Sequence, residues 1–205
     1  MKFQRRPLLT APRYMPLWGM AIGAVGGLVF WLGTQVWPAS IAVVLSMLAT
    51  ALLSADSEAG GRAANVSRVG FVLALLLKYN ALMALSAANL PFVLPANLAL
   101  GLIMIAGQAA SRALVVSVLA SPGLPESQPP SHADLGIALA IGFAPAALIG
   151  LPGLIGLAVA IIARIAFIAY LRRRRSTVAA AELDRTQQLT EVCFYLGALA
   201  TWAYI

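Results

Sequence analysis

Three cations and one carboxylate sit where the surrounding sequence offers them no water. Lys78 lies in ALLLKYNALMAL, Arg112 in GQAASRALV beside Gln108 and Ser111, and Arg164 in AIIARIAFI. Glu191 follows Gln187 and Gln188 near the end of the chain. An ionisable group at the centre of a membrane helix costs about 2.5–3.5 kcal/mol on insertion scales, so each needs a partner, a wet cavity or a route to the interface. Lys78 can snorkel along its own stem toward the head groups, or face the bundle interior and meet a phosphate or a carboxylate. Arg112 can grip phosphate with two parallel N–H groups, which a lysine cannot do. Arg164 reads as a structural pairing residue. Glu191 can pair with one of these cations, or serve as a carboxylate favoured by a helix N-terminus.

The elements that carry these groups must be membrane helices. Of the 205 residues 61% are hydrophobic and 10% charged, and mean hydropathy is +0.88. A water-soluble domain carries about 25% charged residues, so this composition excludes one. The chain reads as all-α: one polytopic transmembrane helical bundle over residues 1–205, with about seven spans and short outer turns. Lipid offers the backbone no hydrogen-bond partners, and a helix of roughly 20 apolar residues satisfies its own. The spans are expected over 16–36, 40–53, 69–90, 96–120, 135–149 and 154–171, with the last starting near Leu189. Pro91 and Pro95 break the chain before the fourth, and Gly150, Leu151, Pro152 and Gly153 fold a hairpin.

The 14 Lys and Arg outnumber the 7 Asp and Glu, a net charge of +7. With seven spans the basic segment 1–13 and the loops 54–68, 121–134 and 172–188 fall on one side. The positive-inside rule makes that side cytoplasmic, together with the N-terminus. The charge therefore reads as a topology signal toward membrane lipid and not as a nucleic-acid surface. One cysteine, Cys193, and one histidine, His132, leave no intrachain disulfide, zinc cage or histidine cluster. No removable leader is read over 1–13.

The order of polar landmarks resembles the cobalamin synthase family, the membrane enzymes also called adenosylcobinamide-GDP ribazoletransferases. MPLWGMAIGAVGGLVFWL is similar to the family's first span. NVSRVGFVLALLLKYNALMAL resembles its Asp-Ser-Arg-(Ile/Leu)-Gly stretch, matching Ser67, Arg68, Gly70 and Lys78. GQAASRALV matches Ser111 and Arg112, and LDRTQQLTEVCFYLGAL matches Gln188 and Glu191. The resemblance implies a bacterial inner-membrane transferase of cobalamin biosynthesis. It would join alpha-ribazole, or its 5′-phosphate, to adenosylcobinamide-GDP and release GMP, with Mg²⁺ as cofactor. Corrinoid nucleotide and ribazole are then its small-molecule partners, and a second copy or other enzymes of the pathway are further candidates.

By the same resemblance Arg68, Lys78 and Arg112 would contact phosphates with Glu191 in the site, and Asp56, Glu58, Glu182 and Asp184 would supply metal ligands. The pattern departs from the family at those acids. The long acidic segment, Asp-Gly-Leu-Ala-Asp with a further Asp, is reduced here to SADSEAGGRAANVSR, and Val66 stands where an aspartate precedes Ser-Arg. Two readings follow. The chain is a Mg²⁺-dependent phosphotransferase, or it is a catalytically inactive homologue that acts as a membrane scaffold or binds phosphate ligands. A small transporter is a weaker third.

Overall fold

The computed structural model describes residues 12–57, 68–87, 96–121, 130–174 and 180–202. Among these residues a 3-10 turn, Pro12–Tyr14, leads into seven helices: α1 Met15–Gly33, α2 Ala39–Ser57, α3 Arg68–Ala87, α4 Ala96–Leu119, α5 His132–Leu148, α6 Leu151–Arg174 and α7 Ala180–Trp202. The described residues contain no strand. Among the described residues four stretches are each long and apolar enough to cross a bilayer: Pro12–Gly33, Gly70–Ala87, Leu98–Leu119 and Leu151–Arg173. The protein is an integral membrane helical bundle, as the composition requires.

Local sequence explains the helix ends. Pro16 stands in the first turn of α1, where its missing N–H would have had no partner. The Ser131 side chain caps α5 by accepting the Asp134 N–H at 3.1 Å, and Asp134 adds a carboxylate to the first turn. Gly150 closes the α5–α6 hairpin at φ +80°, a left-handed conformation that a Cβ would oppose.

α4 is the axis of the bundle, packed by α1, α5 and α7. In its most apolar stretch 78% of residues are buried, against 22% for α3 and for α6. Gly27 of α1 lies flush on Gly101 of α4, where an added Cβ would come within 2.8 Å of the Gly101 Cα. Such small-residue contacts let helices pack without a hydrophobic drive between them. Phe30, Leu82, Leu100, Ile103, Met104, Phe194 and Tyr195 fill the interior. Phe71, Val72, Leu76 and Leu77 on α3, and Ile162 and Ile165 on α6, are exposed and form the lipid-facing wall.

Side-chain contacts fix which helix ends meet. Arg13 approaches Asp134 at 3.6 Å, Arg112 bonds Ser54, and Arg164 reaches Ser121. The starts of α1 and α5 and the ends of α2, α4 and α6 therefore share one end of the bundle, which carries Arg13, Arg172 and Arg173.

Three loops are shorter than the sequence suggests. α2 runs on to Ser57, into the expected loop 54–68, and α5 begins at His132, inside 121–134. The largest difference is at 172–188, where α6 continues to Arg174 and α7 begins at Ala180, well before Leu189. The first half of α7 is too polar to register as a span. It stays helical because its polar groups are paired: Arg185 bonds Glu182 at 2.7 Å, Thr186 donates to the Glu182 carbonyl, and Thr190 donates to that of Thr186. Glu191 accordingly lies mid-helix and does not open α7.

Candidate functional site

The buried polar residues form a line across four helices. Glu191 of α7 is 4% exposed, and its Oε1 accepts from three sides. Lys78 Nζ of α3 stands at 2.6 Å, Gln108 Nε2 of α4 at 2.7 Å and Tyr195 OH at 2.9 Å. Tyr195 follows Glu191 by four residues, so one helix face presents both. The room for the tyrosine ring comes from Gly107, where a Cβ would meet Tyr195 Cε1 at 2.6 Å. Lys78 is therefore not a snorkelling lysine. It turns inward and meets a carboxylate.

One turn along α4 from Gln108, Arg112 is 3% exposed and donates through Nη2 to Ser54 Oγ of α2 at 3.1 Å. Gly19 of α1 makes space for its stem, since a Cβ there would fall 2.8 Å from Arg112 Cδ. Asp184 lies in the first turns of α7, in its polar first half. Burial pushes its carboxyl up, and the Arg112 guanidinium acts in the opposite direction. The line thus runs Ser54, Arg112, Gln108, Glu191, Lys78, with a cation on each side of one buried carboxylate.

Removing two charges from water costs several kcal/mol per ion, and close geometry with further hydrogen bonds is what offsets it. Glu191 has that geometry. A planar guanidinium with a hydroxyl beside it can receive an anionic oxygen pair, and Asp184 is the carboxylate such an anion would compete with. Lys78 can serve a phosphate only by exchanging Glu191 for it.

No family model matches the chain, and no solved structure matches it. Curated proteins do. The protein of Leptothrix cholodnii is 33% identical over 93% of this chain and 85% of its own length, and that of Shewanella frigidimarina 30% over 94% and 85%. A third, from Ralstonia nicotianae, is 32% identical over 73% of this chain and 68% of its own length. All three bear the name adenosylcobinamide-GDP ribazoletransferase. The chain belongs to the adenosylcobinamide-GDP ribazoletransferase family. The match to the S. frigidimarina ribazoletransferase spans 228 aligned positions, more than the 205 residues of this chain. That ribazoletransferase therefore carries residues inside the matched region that have no counterpart here.

Of the residues that stand out in the sequence, the fold brings Lys78 and Glu191 into direct contact and sets Arg112 beside the same line. Arg68 begins α3 and Asp56 lies in the last turn of α2, but their side chains, and all of Glu58, fall outside the described residues. Tyr195 and Ser54 are site residues that sequence reasoning misses. The four-residue spacing from Glu191 is a usable signal for Tyr195, whereas nothing local marks Ser54.

Mg²⁺ asks for oxygen ligands gathered at one point, usually one or two carboxylates and several waters. Among the described residues no three His, Cys, Asp or Glu side chains gather. Glu182 is engaged by Arg185, Asp184 feels Arg112, and Glu191 Oε1 already accepts from three donors. The described acids are not gathered into one cluster, and no step is assigned to a metal.

Proposed function

We propose that this protein is a ribazoletransferase that takes a corrinoid nucleotide, adenosylcobinamide-GDP, and joins alpha-ribazole or its 5′-phosphate to it with release of GMP. The observation that carries the proposal is the match to ribazoletransferases over more than nine-tenths of this chain. The buried cations give the reading a chemistry. Transfer at a diphosphate spreads negative charge over phosphoryl oxygens, and catalysis there is mostly positioning and electrostatic stabilisation. Arg112 supplies a forked donor for those oxygens. Lys78 supplies a second charge, which Glu191 holds inside the bundle until an anion competes for it. Arg68, the first residue of α3, is the further phosphate contact that the family resemblance suggests.

The reading includes an orientation. Arg13, Arg172 and Arg173 share one end of the bundle, and positive charge on short loops and helix ends favours the cytoplasmic face of the bacterial inner membrane. On this reading the N-terminus and the Arg112 end of the polar line face the cytoplasm.

The test is direct. Full-length protein reconstituted in liposomes is supplied with adenosylcobinamide-GDP and alpha-ribazole, and the joined product and GMP are followed by mass spectrometry. Both should appear in equal amounts. Arg112→Gln should lower kcat/KM by about a hundred-fold, with folding checked by size-exclusion chromatography. Folded wild-type protein that releases no GMP would sink the proposal. In the cell, the chain should restore growth to a strain that lacks cobalamin synthase and is fed cobinamide.

A further inference from the structure

Arg164 and Arg172 are absent from the polar line; both sit on α6, where Arg164 is half-buried and Arg172 exposed. They are eight residues apart, two turns or about 12 Å along the axis, on one helix face. Between them a cleft of about 360 Å³ is lined by Ser121, Arg164, Ile165, Ile168, Ala169 and Arg172.

The protein satisfies Arg164 only in part. Its Nη2 donates to the Ser117 carbonyl at 2.7 Å and to Ser121 Oγ at 2.8 Å, neutral acceptors at the end of α4. Among the described residues its Nε is buried with no hydrogen-bond partner and no carboxylate reaches Arg164. The Arg172 guanidinium is near enough to add like-charge repulsion. A membrane arginine in that position is missing a negative charge. The cleft walls show what kind of molecule would bring it. Ile165 is 55% exposed and Ile162 65%, so the cleft opens onto the lipid-facing wall. Its polar end is formed by Ser121, Arg164 and Arg172, toward the basic end of the bundle. Tyr170, exposed on the same helix, is a residue type favoured at that interface.

We propose that this cleft is a binding site for an anionic membrane lipid, whose phosphate sits between Arg164 and Arg172 while an acyl chain lies along Ile165 and Ile162. A phosphodiester has two oxygens that match a guanidinium fork and the single negative charge that Arg164 lacks. The site is separate from the polar line of α3, α4 and α7, and does not depend on the reaction assigned there.

Native mass spectrometry of the full chain tests it, with phosphatidylglycerol and phosphatidylcholine offered at equal ratios. Phosphatidylglycerol should be retained in preference. Arg172→Gln should reduce that retention by about five-fold, the effect of one basic residue near an anionic surface. Arg173→Gln should leave it unchanged, because Arg173 is outside the cleft although it carries the same charge. Arg164→Gln should act like Arg172→Gln, with helix content checked because Arg164 also holds the end of α4. Equal losses in the Arg172 and Arg173 variants would mean diffuse attraction and overturn the site, as would equal retention of the two lipids. Displacement of bound phosphatidylglycerol by millimolar inorganic phosphate would assign the cleft to a soluble phosphate and overturn the lipid.

Discussion

Lys78 and Arg164 face the same problem and receive different answers. Each is a cation in an otherwise apolar helix, and each of those helices is only 22% buried in its most apolar stretch. Lys78 turns toward α7 and finds a full negative charge, Glu191, that is itself held by Gln108 and Tyr195. Arg164 turns toward the end of α4 and finds a carbonyl and a hydroxyl. The interior pair is neutral and closed within the protein, whereas the edge cation keeps its charge and an open cleft. Burial of a charge alone therefore does not mark a site. What separates the two regions is whether the protein finishes the neutralisation.

The widest separation between the two regions should come from Glu191→Ala. Removing one partner of a buried pair leaves the other uncompensated, a loss of about 3–5 kcal/mol. Reversible unfolding in mixed micelles should show it, and Lys78→Met combined with Glu191→Met should recover most of the loss, since no lone charge then remains. A double variant no more stable than Glu191→Ala would remove the ion pair from the explanation. Gly107→Leu comes next. It drives a side chain into the Tyr195 ring, and overpacking of this kind costs about 1–3 kcal/mol, read in the same titration. Tyr195→Phe keeps the ring but takes one donor from Glu191, an expected loss of about 1 kcal/mol. Last is Arg164→Gln, which withdraws a cation from the end of α4 for about 0.3–1 kcal/mol. If Arg164→Gln destabilised the protein as much as Glu191→Ala, the contrast between a closed interior pair and a half-satisfied edge cation would fail.

Much of this is legible in the residues. Lys78, Arg112 and Glu191 stand out because charge within an apolar run is expensive, and that expense needs no structure to recognise. Seven helices are legible for the same reason, through apolar length and proline or glycine breaks. The start of α7 is not. Hydropathy registers Glu182, Asp184, Arg185 and Gln187 as loop-forming, and cannot register that partners on the same helix and on α4 accommodate them. Ser54 reads as the first residue of a loop, although the helix passes through it and carries its hydroxyl to Arg112.

The sequence by itself determined that the chain lives in a membrane, that it is helical, and which few charges must be reconciled with lipid. Those are consequences of composition and of the backbone's need for hydrogen bonds, both of which are local. Only the tertiary structure decided the pairing: that Lys78 meets Glu191 and Arg112 meets Ser54, while Arg164 meets no carboxylate among the described residues. Ion pairs and hydrogen bonds act over about 3 Å, and residues 83 positions apart, such as Gln108 and Glu191, come within that range only when whole helices choose their neighbours.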